Sequence, residues 1–401
     1  MNRKHITTRL HIGLFGRRNT GKSSIINRLT GQDLAIVSEV PGTTTDPVKK
    51  AVEIPGLGAV VLIDTAGIDD TGELGSQRIS KTRQAMQQVD LAIIVFCDND
   101  FSDYEQQLAE QLHQLNTPFI LLHNKSDILP VDASIEAGLT ERNKADFIEF
   151  STITGDNTEN LIKLLQKNIP DNFAQTPPLF GDLVKTGDLV ILVTPIDSEA
   201  PEGRLILPQV QAIREALDFN CIAVVLKETE VVDFIQHTNI VPSLVITDSQ
   251  LFGKIDRLIP PEIPLTSFSI LLARQKGHFD AYLKGTPHIN KLQTGDRILI
   301  MENCTHHSTC DDIGRVKIPR LLQAYTGHKL EFDIVAGLDE PPHNISDYAL
   351  VLQCGGCMIT RKQLLIRIQT AINANVPVTN YGMAIAYVNG VWKRSIELFK
   401  K

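Results

Sequence analysis

Two stretches of this sequence set reactive side chains at telling intervals. In Cys354-Gly355-Gly356-Cys357 two cysteines are separated by two residues, close enough to bite one metal centre. Cys304 and His306, upstream, have the spacing to complete a site of three or four ligands. His307, Cys310, Asp311 and Gln353 are further candidates for a last ligand. Spacing alone leaves structural zinc, an iron–sulfur cluster and no metal open. The second stretch, Gly16-Arg17-Arg18-Asn19-Thr20-Gly21-Lys22-Ser23, has the G-x-x-x-x-G-K-S form of a loop that cradles phosphates. There backbone N–H groups along Gly16, Thr20, Gly21 and Ser24 would wrap the phosphates. Lys22 would reach the β- and γ-phosphates, and the Ser23 hydroxyl would ligate Mg2+.

Both stretches need strand ends to hold them. The apolar run His11 to Phe15 leads into the phosphate loop, and Ser24 to Leu29 continues it as a helix. Arg297 to Glu302 runs towards Cys304, and Tyr348 to Leu352 runs towards Cys354. Short apolar runs of this kind form buried parallel strands, so both cysteine groups should leave the carboxyl ends of strands, where open α/β sheets place their ligands. Val60 to Ile63 ends in Asp64-Thr65-Ala66-Gly67, which offers a carboxylate for the Mg2+ shell and the Gly67 amide for the γ-phosphate. Pro118 to His123 ends in Asn124-Lys125-Ser126-Asp127. An aspartate there can accept two hydrogen bonds that guanine donates and adenine does not, while the Lys125 stem covers the ring. Phe150 and Ser151 open a further base-contacting loop that runs to Gly155, and the expected nucleotide is GTP or GDP.

A chain of 401 residues, 42% hydrophobic and 21% charged, is globular and long enough for two or three domains. Up to residue 170 there are 17 basic and 22 acidic residues, and beyond it 22 and 25. Neither part is basic, which weighs against a nucleic-acid partner held through phosphates. No apolar run approaches a membrane span and the first ten residues lack a signal-peptide core, so a cytoplasmic protein without a membrane partner is expected. Six cysteines would stay reduced there, which favours metal ligation for clustered ones. Cys97 and Cys221 are expected simply to be buried. Strand and helix signals alternate along the whole length, giving an α/β protein of three domains, the first a P-loop domain with a mostly parallel, doubly wound sheet. The expected divisions are residues 1–170, a proline-marked linker over 171–182, a small dimerisation domain over 183–264, and the cysteine-bearing domain over 265–401. Within the small domain, Asp197 to Arg204 is a polar, turn-rich exception that follows a strand.

The order of the nucleotide motifs resembles the Era and TrmE branch of the translation-factor-related GTPases. Thr43-Thr44-Thr45-Asp46 matches that branch's first switch, which implies Thr44 as the threonine that sees Mg2+ and the γ-phosphate. Ile68 follows Gly67 where Ras-like enzymes carry a water-orienting glutamine, so slow hydrolysis is expected. Asn19 matches the asparagine that holds K+ in potassium-activated members, and such an ion would supply charge at the phosphates; Asn19 is also a residue type that makes turns. Lys22, Asn19, Thr44 and Gly67 are then the residues expected to carry hydrolysis.

Over essentially its whole length the chain also resembles the HydF family, the GTPases of FeFe-hydrogenase maturation, through Cys304-Thr305-His306 and Cys354-Gly355-Gly356-Cys357 behind a TrmE-like domain. That resemblance implies a 4Fe-4S cluster on Cys304, Cys354 and Cys357, and a scaffold that delivers a two-iron unit to apo FeFe-hydrogenase alongside radical-SAM maturation proteins. Gln353 stands where many members have histidine, which leaves the fourth ligand between His306, Asp197 and water. The contrasting reading is an Era-like GTPase in RNA or ribosome assembly with a structural zinc domain. A third keeps the GTPase as a regulatory switch beside structural zinc.

Overall fold

The computed structural model describes residues 9–31, 47–65, 81–170, 177–196, 205–302, 312–337, 339–357 and 359–400. The chain divides into two compact units, Met1–Gln175 and Thr176–Lys401.

In the first unit six strands, β1 (Leu10–Phe15), β2 (Val48–Ile54), β3 (Gly58–Asp64), β4 (Leu91–Phe96), β5 (Phe119–His123) and β6 (Asp146–Glu149), form one sheet in the order β2-β3-β1-β4-β5-β6. All neighbours are parallel except the edge pair β2 and β3. Residues alternate between two cores, as the pleat demands: Leu91, Ile93 and Val95 of β4 face one, and Ala92, Ile94 and Phe96 face the other. A strand buried on both faces has no polar side, which is why the wholly buried β4 and β5 read as apolar runs.

Among the described residues the second unit holds two four-stranded parallel sheets. One, built from β7 (Leu189–Val193), β8 (Ile222–Leu226), β9 (Leu244–Thr247) and β10 (Leu265–Ser267), has the order β10-β9-β7-β8. The other, from β11 (Arg297–Glu302), β12 (Glu331–Ala336), β13 (Leu350–Gln353) and β14 (Val378–Asn380), has the order β12-β11-β13-β14. The fold is thus α/β throughout, with several α/β layers and mostly parallel sheets. Ile191, Val193 and Val245 of one sheet and Leu299, Met301 and Val351 of the other belong to a single core. The division expected before Leu265 therefore falls within a shared core, just ahead of the strand that completes the first of these sheets.

The helix Phe268–Lys276 serves both sheets. Ser267 caps it by accepting from the Ile270 N–H. Ile270 and Ala273 enter the shared core, while Phe268, Leu271 and Leu272 enter the core behind the β7 sheet. Seven of its nine residues are buried, and only Ser269 and Arg274 reach partly to the surface. The stretch Ser269 to Leu283 looks helical in sequence, and it forms two helices, Phe268–Lys276 and Phe279–Gly285, with Gly277 closing the first. Glu215, on helix Leu207–Asp218, fastens the entry to this unit: its buried carboxylate accepts from the backbone N–H groups of Leu179, Phe180 and Gly181 at 2.8, 2.6 and 2.8 Å.

Candidate functional site

The phosphate loop leaves β1 at its carboxyl end and enters the helix Lys22–Thr30. Gly16 has φ +142°, and a Cβ there would lie 2.1 Å from the Val95 carbonyl oxygen, so the tight exit from β1 next to β4 requires glycine. Lys22 is buried, and its ammonium folds back to donate to the Gly16 and Arg17 carbonyls at 2.8 and 2.5 Å. The Ser23 hydroxyl donates to Asp64 Oδ2 at 2.6 Å, which brings two of the expected Mg2+ ligands together from β3 and the loop. Burial pushes the Asp64 carboxyl up, against the Ser23 hydrogen bond and the Lys22 and Lys50 charges that pull it down. Ser24 lies half-buried in the first helical turn. Asn19 is exposed with φ +60°, a left-handed turn position that asparagine tolerates well.

The residues expected to read the base come from two segments, one after β5 and one after β6. Asn124 is buried after β5, and its Nδ2 donates to the Thr20 carbonyl at 2.8 Å, tying this loop to the phosphate loop. Asp127 is exposed and accepts from the Ser151 hydroxyl at 2.6 Å. Ser151, 1% exposed, also accepts from the Ile153 and Thr154 N–H groups at 3.2 Å each, so one hydroxyl orders the turn that it opens and holds the Asp127 carboxylate. Lys125 takes the left-handed conformation, φ +62°.

Sequence reasoning missed Arg17. Its guanidinium reaches Asp100 at 2.5 Å and the fully buried Glu105 at 3.2 Å, and also meets the Ser102 hydroxyl, which ties the phosphate loop to the start of helix Asp103–Gln114. Nothing local signals these partners, more than eighty positions away in the chain. Thr44, Gly67 and Ile68 lie outside the described residues, as does the rest of the first switch.

At the other site, β13 ends at Gln353 and the chain turns through Cys354, buried, and Cys357, half-buried. Gly356 holds φ +66° in this turn, a conformation costly for any residue with a Cβ. The Cys354 N–H donates to the Met301 carbonyl at 3.0 Å, which fixes the turn against the end of β11. β11 stops at Glu302, two positions before Cys304. Cys304, His306, His307, Cys310, Asp311 and Asp197 lie outside the described residues, and among the described residues no group of three or more His, Cys, Asp or Glu side chains is arranged to hold a metal ion. Gln353 is wholly buried, with Nε2 towards the Cys354 carbonyl at 3.3 Å and its sulfur at 3.9 Å, and among the described residues Oε1 has no hydrogen-bond partner. The donor set suits a thiolate-bound group: two soft ligands on one turn, with cations behind them. One is Lys276, whose ammonium donates to the Gly356, Ile359 and Cys357 carbonyls. Burial pulls this amine down, and Cys357 and Cys354 push it back up. The other is Arg367, which donates to the Glu302 carbonyl at 3.0 Å.

The two cysteines expected to be plain core residues differ. Cys221 is buried, but Cys97 is only half-buried beside Asp98, and burial with that hydrogen bond raises its thiol to about 11.

A phosphate loop, a Ser23–Asp64 pair and a guanine-type base loop at the carboxyl edge of a mostly parallel sheet define a GTPase domain, and residues 11–125 match the 50S ribosome-binding GTPase family. Residues 179–277 match the hydrogen maturase F dimerization domain, and residues 280–398 match the hydrogen maturase F tetramerization domain. The chain has the makeup of hydrogen maturase F (HydF), with an Era/TrmE-like GTPase domain at its head.

Over 160 residues the chain is 32% identical to the tRNA modification GTPase MnmE of Prochlorococcus marinus (strain NATL1A), a stretch that is 39% of this chain and 34% of that protein. Over 178 residues it is 30% identical to the GTPase Der of Wolinella succinogenes, 42% of this chain and 37% of that one. The chain therefore spans about a third of the length of these curated relatives. A crystal structure of Aquifex aeolicus Era is 18% identical, with a TM-score of 0.37 over 62% of this chain and 97% of that chain. Among the described residues no helix is long and apolar enough to cross a membrane.

Proposed function

We propose that the chain is a GTP-hydrolysing scaffold that holds a 4Fe-4S cluster and assembles or delivers the two-iron subcluster of an FeFe-hydrogenase to the apo-enzyme. The observation that carries this reading is one chain joining a GTPase domain to both hydrogen maturase F domains, the second of which contains the Cys354–Cys357 turn. Cys304, Cys354 and Cys357 would supply three thiolates, with His306 or Asp197 as candidates for a weaker fourth ligand. A cluster held this way has an exchangeable position suited to a carrier. GTP would be held by Gly16, Thr20, Gly21, Lys22 and Ser24 at the phosphates and by Asn124, Lys125, Asp127 and Ser151 at the base. Ser23, Thr44 and Asp64 would hold Mg2+, Asn19 would hold K+, and Gly67 would meet the γ-phosphate. Its hydrolysis would bias domain arrangement or partner release.

A homodimer fits the exposed edge of the β7 sheet. Edge strand β8 shows Ile222 and Val225 to solvent, 56% and 41% exposed, and such an edge is a template for a second copy. The cytoplasm, apo-hydrogenase and radical-SAM maturation proteins complete the setting. The test is activation of apo-hydrogenase by Cys304→Ala, Cys354→Ala and Cys357→Ala variants. Each should lose activation and keep GTP hydrolysis, whereas loss of both activities together would point to a folding role and contradict the reading.

A further inference from the structure

Lys276 ends a helix enclosed on nearly every side and is itself 5% exposed. Taking an ammonium out of water is expensive unless its donors are matched. Here they are matched by carbonyls of one short segment: Gly356 at 3.0 Å, Ile359 at 3.3 Å and Cys357 at 3.4 Å. An ammonium has three donors, and all three go to the segment that carries the cysteine pair. A lysine kept only for solubility would snorkel to water, and one kept only for volume has an apolar equivalent without the desolvation cost. The helix itself is held by Ser267 at one end and by two apolar cores along its length, so packing does not need this charge.

We propose that Lys276 is a positioning residue for the thiolate site: it pins the Cys354–Cys357 turn through three carbonyls and sets a fixed positive charge beside the two sulfurs, offsetting the negative charge of the group they hold. The nature of that group rests on the function proposed above; the pinning of the turn is independent of it.

The test uses the full chain with Lys276→Met and Lys276→Arg. In the metal-free protein, amide hydrogen exchange over residues 353–360 should speed up at least tenfold in Lys276→Met, while the core strands keep wild-type protection. After anaerobic reconstitution with iron and sulfide, the midpoint potential should fall, because a less positive surrounding favours the more oxidised and less negative cluster. A tenfold shift in that equilibrium is 59 mV for one electron. Lys276→Arg should restore most of the potential, since it restores the charge. Wild-type exchange and wild-type potential in Lys276→Met would overturn the inference. So would acceleration spread evenly over the whole second unit without rescue by arginine, which marks a general packing role. If the wild-type protein takes up no iron, the cluster reading fails alone, and the exchange result still decides the role of Lys276.

Discussion

Replacing Ser151 with alanine should loosen guanine nucleotides by about tenfold. Ser151 is 1% exposed, and its hydroxyl donates to Asp127 at 2.6 Å and accepts from the Ile153 and Thr154 N–H groups. On the proposed reading Asp127 receives both guanine donors, so its aim depends on this one bond. A hydrogen bond to a charged acceptor contributes about 1.5–3 kcal/mol. Asp127 is exposed, which favours the lower end, and about 1.4 kcal/mol is a factor of ten in affinity. Isothermal titration with GDP, with stopped-flow release of a fluorescent analogue, should show the loss mainly as faster dissociation. Ser151→Thr keeps the hydroxyl and should recover most of the affinity. GDP affinity in Ser151→Ala within twofold of wild type would refute the idea that this hydroxyl orients the aspartate.

Other consequences are open to direct measurement. Glu215→Ala leaves three buried backbone N–H groups without their acceptor, and at ~1–3 kcal/mol each the second unit should lose ~3 kcal/mol or more in urea unfolding; a loss below ~1 kcal/mol would contradict that assignment. Burial holds the Asp64 carboxyl above its ordinary 3.8, so its stabilising contribution is present below that value and is lost as pH rises through the folded-state value. Asp64→Asn stays neutral, and should raise the melting temperature of the nucleotide-free protein near neutral pH, gain less near pH ~4, and lose Mg2+-dependent GTP hydrolysis; equal gains at both pH values would show the sign to be wrong. Exchange of K+ for Na+ should slow GTP hydrolysis severalfold in the wild type and leave Asn19→Ala unaffected, whereas equal wild-type rates in the two salts would remove Asn19 from ion binding.

Features that depend on short-range spacing were legible in the sequence. The phosphate loop between β1 and its helix, the Asn124 to Asp127 loop after β5, and the cysteine turn after β13 are each written in a few consecutive residues, because the chemistry needs a strand end and a fixed backbone form. What was not legible depends on distant pairing. Arg17 gives no sign of Glu105, and Lys276 lies about eighty positions from the carbonyls it holds. Strand β12 has no clear strand signal in the sequence because Glu331-Phe332-Asp333-Ile334 is half polar, as suits an edge strand. The opposite holds for β8, whose Ile222 to Leu226 run reads as an interior strand yet lies at an edge with two side chains exposed. The joint core of the two sheets in the second unit also had no local signature, since apolar residues on a strand do not declare which neighbour they will meet.

Metal analysis of protein purified anaerobically, with an electron paramagnetic resonance spectrum after reduction, decides whether this GTPase carries an iron–sulfur cluster on its cysteines. About four irons per chain and a reduced-cluster signal are expected. Stoichiometric zinc that iron cannot replace would contradict this.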